Sequence, residues 1–86
     1  MSAVLLIEDD DDLAFALERM LKREKVASFR HVTSGRDAVA TAGREVFDVA
    51  ILDLGLPDGD GLELLPHLLA LDPNLRVIVL TGRRSE

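Results

Sequence analysis

The sequence predicts one small α/β domain built on an open, doubly wound parallel sheet. Three observations carry that prediction. Short apolar runs alternate with amphipathic segments along the whole chain. The runs at 4–7, 46–52 and 76–81 are dense in Val, Ile and Leu, as strands covered on both faces are. The segments between them begin on helix-capping residues. The resulting order, β-α-β-α-β-α-β, calls for parallel strands joined by right-handed crossovers.

Val4-Leu5-Leu6-Ile7 is the first strand. Leu13, Leu17, Met20 and Leu21 follow at helical spacing, with Asp11 or Asp12 as the expected cap. Residues 26–32 form a more polar strand, expected at an edge of the sheet. Ser34-Gly-Arg-Asp37 reads as a capping signal ahead of Ala38, Val39 and Ala42 on a second helix. Val46 to Leu52 is the next strand. Asp60-Gly-Leu-Glu63 caps a third helix, whose Leu64, Leu65, Leu68 and Leu69 form a core stripe too short for a zipper. Pro66 removes one backbone bond from that helix. Asp72-Pro73-Asn74 ends it, and "RVIVLT" is the last strand.

Composition narrows the function. The 86 residues allow one domain, and 48% hydrophobic content is too high for a disordered tail. The net charge of −6 argues against a nucleic-acid surface and suits a cation site. With no cysteine, disulfides, thiolate metal sites and thiol catalysis are excluded. The start, MSAVLL, has no basic leader, and no run nears the ~20 apolar residues of a membrane span. The expectation is a cytoplasmic segment without direct nucleic-acid or membrane binding.

Ligands of open α/β sheets bind beyond the carboxyl ends of the strands, where strand order reverses. Three such ends carry polar chemistry here: Glu8, Asp9 and Asp10 after the first strand, Asp53 after the third, Thr81 and Gly82 after the fourth. Carboxylates packed together raise one another's pKa, and a hard divalent cation such as Mg²⁺ relieves the repulsion. The Gly55 carbonyl lies two residues past Asp53, and the Thr81 hydroxyl offers a donor to a phosphoryl oxygen. Asp10, Asp11 and Asp12 read as solvated or capping acids, and His31 and His67 as surface residues.

Taken together, "VLLIEDD", "DVAILDLGLPDGDGLELL" and "VIVLTG" resemble the receiver (CheY-like) domains of two-component response regulators. The resemblance implies a flavodoxin-like fold with strand order 2-1-3-4, the fifth strand being absent, so residues 1–86 are expected to be a partial receiver domain from a longer regulator. It implies that Asp53 is the phosphoacceptor for a sensor histidine kinase and that the chain is a signalling switch, with at most slow self-dephosphorylation. Asp9, Glu8 acting through a water, Asp53 and the Gly55 carbonyl would hold Mg²⁺. Thr81 would contact the phosphoryl group, with the small Gly82 beside it, and Pro57 and Gly61 would shape the loop. An output domain, often DNA-binding and regulating transcription, is the implied partner. The family's fifth-strand lysine has no counterpart, since Lys22 and Lys25 lie near the first helix.

The competing expectation is a non-phosphorylated interaction module that dimerises through its exposed fourth-strand edge. Three other readings fail on spacing. An EF-hand loop starting at Asp58 would place Leu62 where an acid is needed. A dehalogenase-type phosphatase needs an acid where Gly55 stands, and there is no phosphate-binding G-x-x-x-x-G-K-[ST] loop.

Overall fold

The computed structural model describes residues 2–57 and 59–80. In chain order the elements are β1 (Ala3–Ile7), α1 (Asp11–Arg23), β2 (Ser28–Val32), α2 (Gly35–Arg44), β3 (Val49–Asp53), β4 (Gly55–Leu56), β5 (Gly59–Asp60), α3 (Gly61–Leu71) and β6 (Arg76–Leu80). Four strands make a parallel sheet in the order β2-β1-β3-β6. This is the flavodoxin-like order expected, with β6 as the fourth strand of the sheet. The antiparallel pair β4–β5 is a separate two-residue ribbon; it breaks the alternation and was not foreseen.

Period-two alternation divides the strands between two cores. Leu5, Ile7, Ala50 and Leu52 face α2 and α3 and pack with Ala38, Leu64 and Leu68. Val4, Leu6 and Ile51 face α1 and pack with Ala14. Leu5, Leu6, Ile7, Leu52 and Leu68 are fully buried, each stabilising the fold by about 1.5–3 kcal/mol. β2 alternates exposed and half-buried positions, the expected character of an edge strand.

The N-terminal end of the sheet is pinned by Asp48. Its carboxylate accepts from the Ala3 amide at 2.8 Å, its own amide donates to the Ala3 carbonyl at 2.9 Å, and its carbonyl accepts from the Arg76 amide at 3.2 Å. This explains why β3 begins at Val49 and not at Val46. The chain before Asp48 is bent into the sheet: Phe47 enters the core, and Val46 is left 83% exposed.

Two expectations for α1 are corrected. The cap is Asp10, whose carboxylate accepts from the Asp12 and Leu13 amides at 3.0 and 3.2 Å, while Asp11 and Asp12 lie in the first turn. Starting the helix there rotates Leu13 and Met20 outward, to 42% and 60% exposure. Ala14, Leu17 and Leu21 form the covered stripe instead. The other helices begin as expected. Ser34 accepts from the Asp37 amide and Asp60 from the Leu62 amide, and α3 continues through Pro66 to Leu71.

Candidate functional site

From β1 the chain crosses to β2 on one side and returns to β3 on the other. The carboxyl ends of β1 and β3 therefore flank the point where strand order reverses. Ile7 stands opposite Leu52 in the ladder, which puts Glu8 level with Asp53. Glu8 follows Leu6 by two residues and Asp53 follows Ile51 by two, so both side chains take the α1 face of the sheet. Asp9 follows Glu8 in the loop into α1.

One carboxylate oxygen from each of Glu8, Asp9 and Asp53 lies within 4.8 Å of the others. At a Mg²⁺–oxygen bond of about 2.1 Å, two ligands of one ion stand about 3.0 Å apart when adjacent and about 4.2 Å when opposite. Side-chain rotation that closes the gap by up to about 2 Å, or a bridging water, would bring the three acids to that spacing. The three acids differ in setting: Asp9 is exposed, Asp53 half-buried and Glu8 only 3% exposed.

Glu8 shows the strain of that setting. Its Oε2 accepts from the Asp10 amide at 3.1 Å, while Oε1 is buried with no hydrogen-bond partner among the described residues. Buried polar atoms without partners are rare because desolvation goes uncompensated. Burial raises the Glu8 pKa above the usual 4.5, and the charges of Asp53, Asp9 and Asp10 raise it further, against the stabilising Asp10 amide. An unpartnered oxygen beside two further carboxylates is the donor set of a hard divalent cation.

The other strand end is shaped by backbone. After Asp53 the chain enters the β4–β5 ribbon, with Gly55 opposite Asp60 and Leu56 opposite Gly59. Gly59, at φ 151°, takes a conformation that side chains disfavour. The Gly61 amide then donates to the Leu54 carbonyl at 2.9 Å. A Cβ on Gly61 would stand 2.5 Å from the Asp53 carbonyl oxygen and 2.9 Å from the Leu54 Cα. Only glycine lets the start of α3 close against the end of β3.

The structure thus gathers Glu8, Asp9 and Asp53, and places Gly55 at the head of the ribbon beside them. Leu80 is level with Asp53; Thr81 and Gly82, the next two residues, lie outside the described residues. Sequence reasoning missed His31. It is half-buried, and its Nε2 lies 2.7 Å from the Glu8 carbonyl oxygen.

A doubly wound parallel sheet with carboxylates clustered at its switch point defines an open α/β domain whose acid cluster could hold a cation. The chain belongs to the response regulator receiver domain family, whose model matches residues 4–86. It is similar to the transcriptional regulatory protein CreB of Escherichia coli (strain K12), with 43% identity over 83 residues, 96% of this chain and 36% of that protein. The chain therefore spans little more than a third of that relative. A response regulator of Burkholderia pseudomallei, solved with a phosphorylated aspartic acid, a calcium ion and citrate, superposes with a TM-score of 0.89 at 35% identity, over 99% of this chain and 49% of that one. The receiver domain of a Pseudomonas aeruginosa PAO1 sensor histidine kinase, solved with magnesium coordinated in its active-site cleft, superposes at 0.86 with 27% identity, over 95% and 68%. No helix among the described residues is long and apolar enough to cross a membrane.

Proposed function

We propose that the chain is a phosphorylatable switch in which Asp53 accepts a phosphoryl group from the phosphohistidine of a sensor histidine kinase. Glu8, Asp9, Asp53 and the Gly55 carbonyl are the residues that would hold Mg²⁺. The observation that carries this reading is the gathering of the Glu8, Asp9 and Asp53 carboxylates, with Glu8 buried and its Oε1 without a hydrogen-bond partner among the described residues. The related structures with a phosphorylated aspartate and with bound magnesium support it.

When bound, Mg²⁺ supplies positive charge to the carboxylates and to the phosphoryl oxygens. Asp53 acts as the nucleophile: one carboxylate oxygen forms the new O–P bond, the donor's P–N bond breaks, and its electron pair returns to the imidazole nitrogen. The end of β3, closed against Gly61, fixes the direction of attack. Thr81 would donate its hydroxyl to the transferred group. Half-exposed Asp53 remains open to water, so the acyl phosphate hydrolyses slowly and the signal resets; the chain is a phosphoacceptor, not an enzyme with a separate substrate. Residues 1–86 would form part of a receiver domain in a longer cytoplasmic regulator, with transcription as the output, as the similarity to CreB suggests.

The test is intact mass after incubation with acetyl phosphate and Mg²⁺, beside Asp53→Asn. Gain of one phosphoryl group, dependent on both Mg²⁺ and Asp53, is the expected result. A gain that survives Asp53→Asn refutes the assignment.

A second reading rests on β6, an outer strand of the described sheet, where Ile78 is 53% exposed. Pairing of two copies along this edge would make the chain a dimerisation module. Concentration-dependent dimers by sedimentation, lost on Ile78→Lys, would favour it.

A further inference from the structure

We propose that His31 is a positioning residue for the acid site: by donating from Nε2 to the Glu8 carbonyl it fixes where Glu8 and Asp9 stand and so sets the cation affinity. The proposal deepens the cation-site reading above and rests on it. A carbonyl oxygen only accepts, so the 2.7 Å contact requires the proton on His31 Nε2.

The contact sits where the sheet stops supporting β1. The β1–β2 ladder ends with Ile7 opposite Val32. One last rung follows, from the Glu8 amide to the Val32 carbonyl at 3.0 Å. β2 ends at Val32, and Ser34 already caps α2. The Glu8 carbonyl thus leaves the ladder just where the chain must turn Asp9 toward Asp53. His31 reaches back from β2 and holds that carbonyl with a side chain. Glu8 is then fixed at three points: its amide by Val32, its carbonyl by His31, and its Oε2 by the Asp10 amide. The one oxygen left without a hydrogen bond, Oε1, belongs to the residue that joins Asp9 and Asp53 in the carboxylate cluster. Fixing the peptide between Glu8 and Asp9 orients both carboxylates at once. Groups that orient metal ligands from behind change affinity about 10–100-fold when removed.

The role also accounts for a polar side chain on the α1 face of the sheet. In the ladder His31 is opposite Leu6, as Phe29 is opposite Val4, and Phe29 packs with the α1-side core. An apolar residue at 31 would suit that face at least as well, and the Glu8 carbonyl is what gives a donor something to do there.

The experiment is Mg²⁺ titration by calorimetry on the wild-type chain and on His31→Val, His31→Met and His31→Gln, with thermal unfolding in chelator recorded for each. Val favours strands, and Met matches Gln in length, so a folded donor-free variant is available to compare with Gln. Expected is Mg²⁺ affinity weakened about tenfold or more in Val and Met and restored by Gln, without a matching order in melting temperature. A purely structural His31 would make affinity follow stability and leave Gln no better than Met. Wild-type affinity in folded Val or Met variants overturns the positioning role and leaves the cation site standing. Absence of Mg²⁺ binding by the folded wild-type chain overturns both.

Discussion

The two strand ends that meet at the acid site are built by opposite means. At the exit of β1 a charge is buried: Glu8 is 3% exposed, carries a raised pKa, and leaves one oxygen unpartnered. At the exit of β3 the backbone is compressed: a two-residue ribbon and Gly61 close onto the Asp53 carbonyl, while the Asp53 carboxylate stays half-exposed. The first end gives up stability to hold a carboxylate without its water, a cost that a cation would recover. The second spends no charge burial and depends on the absence of a Cβ. Substitutions at the two ends should therefore fail differently, electrostatically at one and sterically at the other.

The largest effect is expected from Gly61→Ala. The added Cβ meets backbone atoms at 2.5 and 2.9 Å, which cannot swing aside, and overpacking of this kind costs about 1–3 kcal/mol. Denaturant unfolding should show that loss equally in Mg²⁺ and in chelator. A loss confined to Mg²⁺ would mean that both ends are electrostatic. Glu8→Gln should do the reverse. The folded-state pKa of Glu8 is raised above 4.5, so between 4.5 and the raised value the folded chain binds more protons than the unfolded one. Stability from this group is intact below 4.5 and lost as pH rises through that window. At neutral pH in chelator the Gln variant should melt higher than wild type, with the difference vanishing below pH 4.5. Its melting temperature should also respond less to Mg²⁺. A lower melting temperature in chelator would contradict the assignment of buried charge.

Two smaller changes sharpen the contrast. Asp10 both caps α1 and gives its amide to Glu8. Asp10→Ala should cost about 1 kcal/mol through the lost cap, whereas Asp10→Asn should keep the cap and relieve part of the repulsion on Glu8. Chemical denaturation of the pair separates the terms. The least effect is expected far from the site, at Lys25, which holds φ 61° just after α1. Lys25→Gly should stabilise by up to about 1 kcal/mol without altering Mg²⁺ binding.

Much of this contrast was legible in the sequence, and its gaps have physical causes. The buried strands showed as apolar runs, and Ser34 and Asp60 showed as caps, because those signals are local. Glu8, Asp9 and Asp53 showed because acids directly after apolar strands have few structural uses. The cap of α1 was misplaced because five successive acids, Glu8 to Asp12, offer nearly equivalent capping oxygens. Val46 read as strand because hydropathy does not register Asp48 bending the chain. Leu13 and Met20 read as core because an expected stripe rewards large residues and passes over the small Ala14 that packs against the sheet. His31 reads as a surface residue because a side chain reaching a carbonyl at the end of the neighbouring strand, 23 positions away, leaves no periodic trace.

The central claim is that the acids at the β1 and β3 exits form one cation site. The most direct measurement is thermal unfolding of the wild-type chain and of Asp9→Asn and Asp53→Asn as Mg²⁺ is raised from chelator at neutral pH. A ligand that binds the folded state alone raises stability with the logarithm of its concentration once above its dissociation constant. The account predicts such a rise for wild type and its loss or marked weakening in both variants. A melting temperature indifferent to Mg²⁺, or a rise that both variants retain in full, would contradict it.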